Sequence, residues 1–226
     1  MALTRSEKRT AVLAVVVVLA VGVFWMGFSV VEGINLRRQI ASFDDFKRQH
    51  AMVFRQGDVV RCDSGEDESL VDDAGWAYQA GFDWDGTMNF TVEESWLFDE
   101  MADACSMIGV EPDGVGREER AGVLLVKVRV ENIDARPSSD RGFNISVLRG
   151  PSEISFFSGA VEENGEKGYY YFDLAPGESG VYYVGYEAFP EAASEEPCLH
   201  VGTHADEVEK MTVVCDPHDE RSGERS

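Results

Sequence analysis

Basic side chains are scarce in this chain: 20 Lys and Arg stand against 42 Asp and Glu, a formal net charge of -22. Nucleic-acid binding replaces condensed counterions with clustered Lys and Arg, so the balance argues strongly against a nucleic-acid partner. Docking flat on anionic lipid headgroups is disfavoured for the same reason. Histidine is rarer still, with only His50, His200, His204 and His218. His200 and His204 are close enough to meet on a loop, but no recognisable motif sets a serine or cysteine nucleophile beside them, so no catalytic set is read. The four cysteines show no C-x2-C spacing, and none of the histidines adjoins a cysteine pair, which leaves no metal site and no cofactor to expect. No repeat appears at solenoid or propeller periods.

Charge is absent altogether from one stretch. Residues 11–31 read AVLAVVVVLAVGVFWMGFSVV. At about 1.5 Å per residue, a helix of this length spans roughly 30 Å, the hydrocarbon thickness of a bilayer. The run is too long for the apolar region of a cleavable signal, and FSVVE offers no small-x-small cleavage site. No cysteine follows closely to accept a lipid. Arg5, Lys8 and Arg9 precede the run against Glu7 alone, which holds the N-terminus in the cytoplasm. The sequence therefore predicts a cytoplasmic segment over 1–10, a single transmembrane helix over 11–31 and an extracytoplasmic remainder, with the lipid bilayer as a partner of the helix.

The stretch INLRRQIASFDDFKRQH repeats apolar residues at helical spacing and predicts a stalk over 32–56, mostly helical. About 190 residues lie beyond the anchor, enough for one sizeable core or at most two small ones. Twenty-two glycines and seven prolines among many aromatics fit a β-domain with frequent turns. GDVVRC opens it. Met88, Phe90 and Val92, then Trp96 and Phe98, share one parity of an alternating strand. DEMADACSMI reads as a short helix or turn. Val126, Val128 and Val130 face one way from the strand over 123–132, with Lys127, Arg129 and Glu131 facing the other, as in an antiparallel sandwich with one wet face. Further strands are expected over 143–148, 154–161, 169–172, 181–186, 199–201 and 211–215. Residues 216–226 read as a polar tail.

Two disulfides are expected of four cysteines in an exported domain. Three connectivities are open. CLHVG and MTVVC look like the arms of a hairpin, which favours Cys198 with Cys215 and leaves Cys62 with Cys105.

Three stretches invite sharper functions. DSGEDESLVDD (63–73) is acidic enough for calcium but lacks the EF-hand ligand order, so a solvated loop is the plainer reading, with a calcium-stabilised adhesin as an alternative. Asp83-Trp84-Asp85-Gly86-Thr87 resembles the first motif of haloacid-dehalogenase-type phosphatases, in which the two aspartates act as nucleophile and acid/base. The apolar parallel strand that should precede it is broken by glycines and Gln79, and Asp85-Gly86 suits a hairpin turn. The tyrosines of the late strands fall on both parities. Tyr170, Tyr182 and Tyr186 are the candidates for an outward aromatic surface that would meet an envelope protein or glycan, against the alternative that they simply pack.

V-x-V-x-V-x-N over Val126–Asn132, an alternating strand, then L-x-P-G-E over Leu174–Glu178 leading into an aromatic strand together resemble the uncharacterised immunoglobulin-like domains of Gram-positive membrane-anchored or lipidated surface proteins. The resemblance covers roughly 57–215. It implies an immunoglobulin-like antiparallel β-sandwich over those residues, outside the cytoplasmic membrane. It carries over no catalytic residue. The function expected from the whole is a non-enzymatic binding or structural module of the bacterial envelope.

Overall fold

The computed structural model describes residues 32, 34–65, 70–111, 122–150, 161–162, 171–188, 197–203 and 210–221. The uncharged run 11–31 lies outside these, and among the described residues no helix is long and apolar enough to cross a membrane. Two compact units divide the chain, Met1–Phe46 and Lys47–Ser226. A helix, α1, covers residues 34–50. In its first-unit portion Phe43 stacks on Phe46 with ring centroids 6.2 Å apart, while Ile34, Leu36 and Ile40 remain exposed.

The second unit is mainly β. A four-stranded sheet runs in the order β1 (Met52–Arg55), β15 (Met211–Val214), β14 (Cys198–Val201), β10 (Leu148–Arg149). A larger sheet runs β11 (Val161–Glu162), β13 (Ser179–Ala188), β7 (Gly122–Asn132), β6 (Thr87–Phe98), β16 (His218–Asp219), with β2 (Val60–Asp63) also pairing to β6. Three short ribbons complete it: β3 (Leu70–Val71) with β4 (Ala77–Tyr78), β5 (Trp84–Asp85) with β8 (Arg136–Pro137), and β9 (Phe143–Asn144) with β12 (Tyr171–Phe172). A short α-helix, α2, spans Met101–Met107.

Most pairings are antiparallel, as the alternating strands imply. Two are parallel and were not legible in the sequence: β1 with β15, and β16 with β6. Both lie in stretches expected to be something else, Met52–Arg55 in the stalk and His218–Asp219 in the tail. Each short segment supplies main-chain partners to an edge that would otherwise be open.

One apolar cluster joins the two large sheets. Leu199, Val201, Met211 and Val213 enter it from the smaller sheet, and Met88, Phe90, Val92, Leu124, Val126, Val128, Val130, Tyr182, Val184 and Tyr186 from the larger. A second cluster gathers Trp96, Phe98, Val123 and Leu125 beneath Met101, Ala104 and Cys105 of α2. The strand β7 thus has a wet outer face only along its second half. Lys127 and Arg129 lie there, with Arg129 Nε 2.6 Å from Glu93 Oε1 and Lys127 Nζ 3.7 Å from Glu93 Oε2.

A β-bulge makes this division. The register of β6 on β7 slips between Val92 and Glu94, which pairs Val92 with Val128 but Glu94 with Lys127. An extra residue reverses the alternation of the strand that carries it. Met88, Phe90 and Val92 therefore face the first cluster, and Trp96 and Phe98 face the second, although all five share one parity in sequence. Gln56 locks the bulge. Its Oε1 accepts from Ser95 Oγ at 2.6 Å and from the Asp216 N–H at 3.0 Å, and its Nε2 donates to Glu93 O.

The expected hairpin at Asp85-Gly86 is a corner instead, because β5 pairs with β8 and not with β6. Gly86 has φ +103°, and a Cβ there would come 2.9 Å from Asp134 O, so the corner requires glycine.

Candidate functional site

Among the described residues the expected tyrosine surface does not form. Tyr182 and Tyr186 are 4% and 2% exposed and belong to the main core. The reason is parity: β13 pairs Tyr182 with Val128 and Tyr186 with Leu124, both inward-facing. The Tyr186 hydroxyl donates to Leu148 O at 2.8 Å, and burial raises its pKa far above that of an exposed phenol. Tyr183 is the tyrosine that turns outward. It lies 6.3 Å from Trp96, packed against the cluster beneath α2. Tyr170 lies outside the described residues.

The two expected disulfides are not formed, and all four cysteines are thiols. Cys62 sits in the main core and Cys105 in the cluster under α2, two distinct apolar environments. Cys198 and Cys215 do lie on neighbouring antiparallel strands, as the hairpin reading implies. Their register opposes Cys198 to Val214, one residue short of Cys215. Adjacent residues of a strand point to opposite faces, so Cys215 turns into the core while Cys198 turns outward. Burial, reinforced by the neighbouring Cys198, pushes the Cys215 thiol up to about 12.

Asp83 and Asp85 do not assemble a phosphatase site. Asp83 precedes and Asp85 ends the two-residue strand β5, which is antiparallel to β8, with buried Trp84 between them. Burial raises the Asp83 carboxyl above its usual range, partly offset by backbone N–H groups of Asp83 and Asn144. Lys127 is engaged by Glu93 and Glu94. In the acidic loop, Asp63 accepts from Thr87 Oγ1 at 2.9 Å and pairs with Arg61, while residues 66–69 lie outside the described residues. No group of three or more His, Cys, Asp or Glu side chains suited to a metal converges among the described residues.

Chemistry-bearing side chains do meet on the outer face of the four-stranded sheet. The strand register places Val53, Thr212, His200 and Arg149 in one row across β1, β15, β14 and β10. Cys198 lies on the same face two residues before His200. Its Sγ is 3.7 Å from His200 Nε2, and His200 Nδ1 is 3.0 Å from Thr212 Oγ1. Arg149 Nε donates to Gly202 O at 3.0 Å. Burial, then the charge of Arg149, lowers His200 to about 4, so the imidazole is neutral near pH 7. In the tautomer that donates Nδ1–H to Thr212 Oγ1, Nε2 presents its lone pair to the thiol. The sequence signal for this group is the alternation Cys198-Leu199-His200, which puts the two polar side chains on one strand face. Thr212 and Arg149 carry no local signal, because only strand pairing delivers them.

Comparison with known proteins finds no matching family model, no matching curated protein and no matching solved structure.

Proposed function

We propose that this chain is a membrane-anchored envelope protein whose C-terminal body is an immunoglobulin-like β-sandwich held outside the cytoplasmic membrane. It acts there as a binding or structural module, without catalysis, on an envelope protein or glycan. The observation that carries the proposal is the uncharged run 11–31 with basic residues before it, followed by a mainly β unit. Two sheets contributing to one core support the sandwich. So does the contact between the two family-like motifs. Asn132 closes V-x-V-x-V-x-N, and its Nδ2 donates to Leu174 O at 2.7 Å, while Gly177 N donates to Asn132 O. Cysteine pairing contributes nothing to this reading. Export without disulfides is compatible with the burial of Cys62, Cys105 and Cys215.

Protease shaving tests the proposal. The full chain, tagged at its C-terminus and expressed in a Gram-positive host, is expected in the membrane fraction, with its tag removed by protease added to intact cells. A tag cut only after lysis, or a chain recovered in the soluble fraction, overturns the topology.

A further inference from the structure

Three of the four cysteines are sealed: Cys62, Cys105 and Cys215 are 0%, 1% and 5% exposed. Cys198 is partly exposed, on an outer sheet face bordered by the exposed Val53. It is also the cysteine beside a histidine whose far nitrogen is held by a hydroxyl. A thiol, a base within reach and a group that orients the base form the arrangement that activates a nucleophile. We propose that Cys198 is a reactive thiol that forms a mixed disulfide with small disulfides, with His200 taking its proton and Thr212 positioning His200.

The step balances with the disulfide RS–SR as the only co-reactant. Cys198 Sγ attacks one sulfur, the new Sγ–S bond forms as the S–S bond of the reagent breaks, and the second sulfur leaves as thiolate. The proton of Cys198 passes to His200 Nε2 and then to the departing thiolate, which is released as RSH. The neutral imidazole has the free lone pair that this first transfer needs. Burial and Arg149, level with His200 on β10, keep the imidazole weakly basic, so it takes the thiol proton only as the Sγ–S bond forms and hands it on to the departing thiolate.

Acyl transfer at this thiol is less well served, since it calls for N–H donors aimed at an oxyanion. The nearby Cys215 N–H is committed to Pro197 O at 2.8 Å. Disulfide exchange needs no such donors, only the thiolate and room for in-line attack. Cys215 cannot resolve the mixed disulfide from the opposite face of the sheet, so the adduct persists until an external thiol removes it.

The test uses the full chain in detergent, reduced and desalted, with 4,4′-dithiodipyridine as the probe at pH 7. One equivalent of thiopyridone is expected to be released quickly, and peptide mass mapping places the adduct on Cys198. The remaining thiols react only after unfolding, and Cys198→Ser abolishes the fast equivalent. His200→Gln slows that equivalent by about tenfold or more. Thr212→Val slows it as well, whereas Thr212→Ser keeps the wild-type rate. Mapping of the fast equivalent to another cysteine overturns the proposal, as does a His200→Gln protein with an unchanged unfolding midpoint and an unchanged rate. If His200→Gln unfolds and exposes every thiol, equal rates for folded Thr212→Val and Thr212→Ser overturn it.

Discussion

Asn132 shows how much one polar side chain can hold. It is 1% exposed, yet its amide donates to Ala135 O at 3.1 Å and Leu174 O at 2.7 Å and accepts from Ala135 N at 2.7 Å. Removing the amide leaves those backbone groups buried without partners, so Asn132→Ala should cost about 3 kcal/mol in urea denaturation. A loss below about 1 kcal/mol would mean that the Leu174–Glu178 turn holds itself. His200 makes a pH prediction. Its folded pKa, about 4, lies below the unfolded value of 6.5, so between those values the unfolded chain binds more protons. This contribution is fully present above pH 6.5 and fades as pH falls toward 4, a change of about 3 kcal/mol at most. The stability gap between wild type and His200→Gln should therefore narrow from pH 7.5 to pH 4, and a constant gap would contradict the burial of the ring. Asn132 was legible as a motif letter. Its partners were not, because Leu174 reaches it only through the fold.

At the scale of the element, the bulge in β6 has the largest consequence. A strand reader counts parity along the chain and places Trp96 and Phe98 with Met88, Phe90 and Val92. The slip after Val92 instead sends the last two aromatics to the opposite face, where α2 covers them. Deleting Glu93 restores simple alternation and exchanges Trp96 and Phe98 with Ser95 and Leu97. That variant should lose more than about 4 kcal/mol and the cooperative unfolding transition, since it drives aromatics and a hydroxyl onto the wrong faces. Glu93→Ala keeps the residue count and forfeits only partly exposed ion pairs, at a cost of about 1 kcal/mol or less. Equal losses in the two variants, followed by tryptophan fluorescence, would assign the effect to charge and remove the bulge from the explanation. The stretch of α2 read only as a short helix or turn, whereas the strand β7 was readable from pattern because it is a continuous local signal. The short parallel strands β1 and β16 were not, since two to four residues carry no period.

The whole molecule carries a net charge of -22, and the described ion pairs neutralise little of it. Self-repulsion of that size opposes the compact state and is screened by salt. Raising NaCl from low concentration to 0.5 M should therefore stabilise the protein by about 1 kcal/mol, read as a higher Tm. A falling Tm would mean that attractive pairs outweigh the repulsion. The same surplus leaves the row Val53, Thr212, His200, Arg149 as a local exception, with a cation and a neutral base on an acidic body.

What the sequence determined by itself is whatever depends on composition and local period: an acidic chain, an uncharged run long enough for a bilayer, and a mainly β body with its principal strands. Facing and partnership were decided by the tertiary structure. Strand side chains alternate with period two, so a one-residue register offset or a single inserted residue exchanges inside for outside. That exchange separated Cys198 from Cys215, buried Tyr182 and Tyr186, and brought Cys198, His200 and Thr212 together.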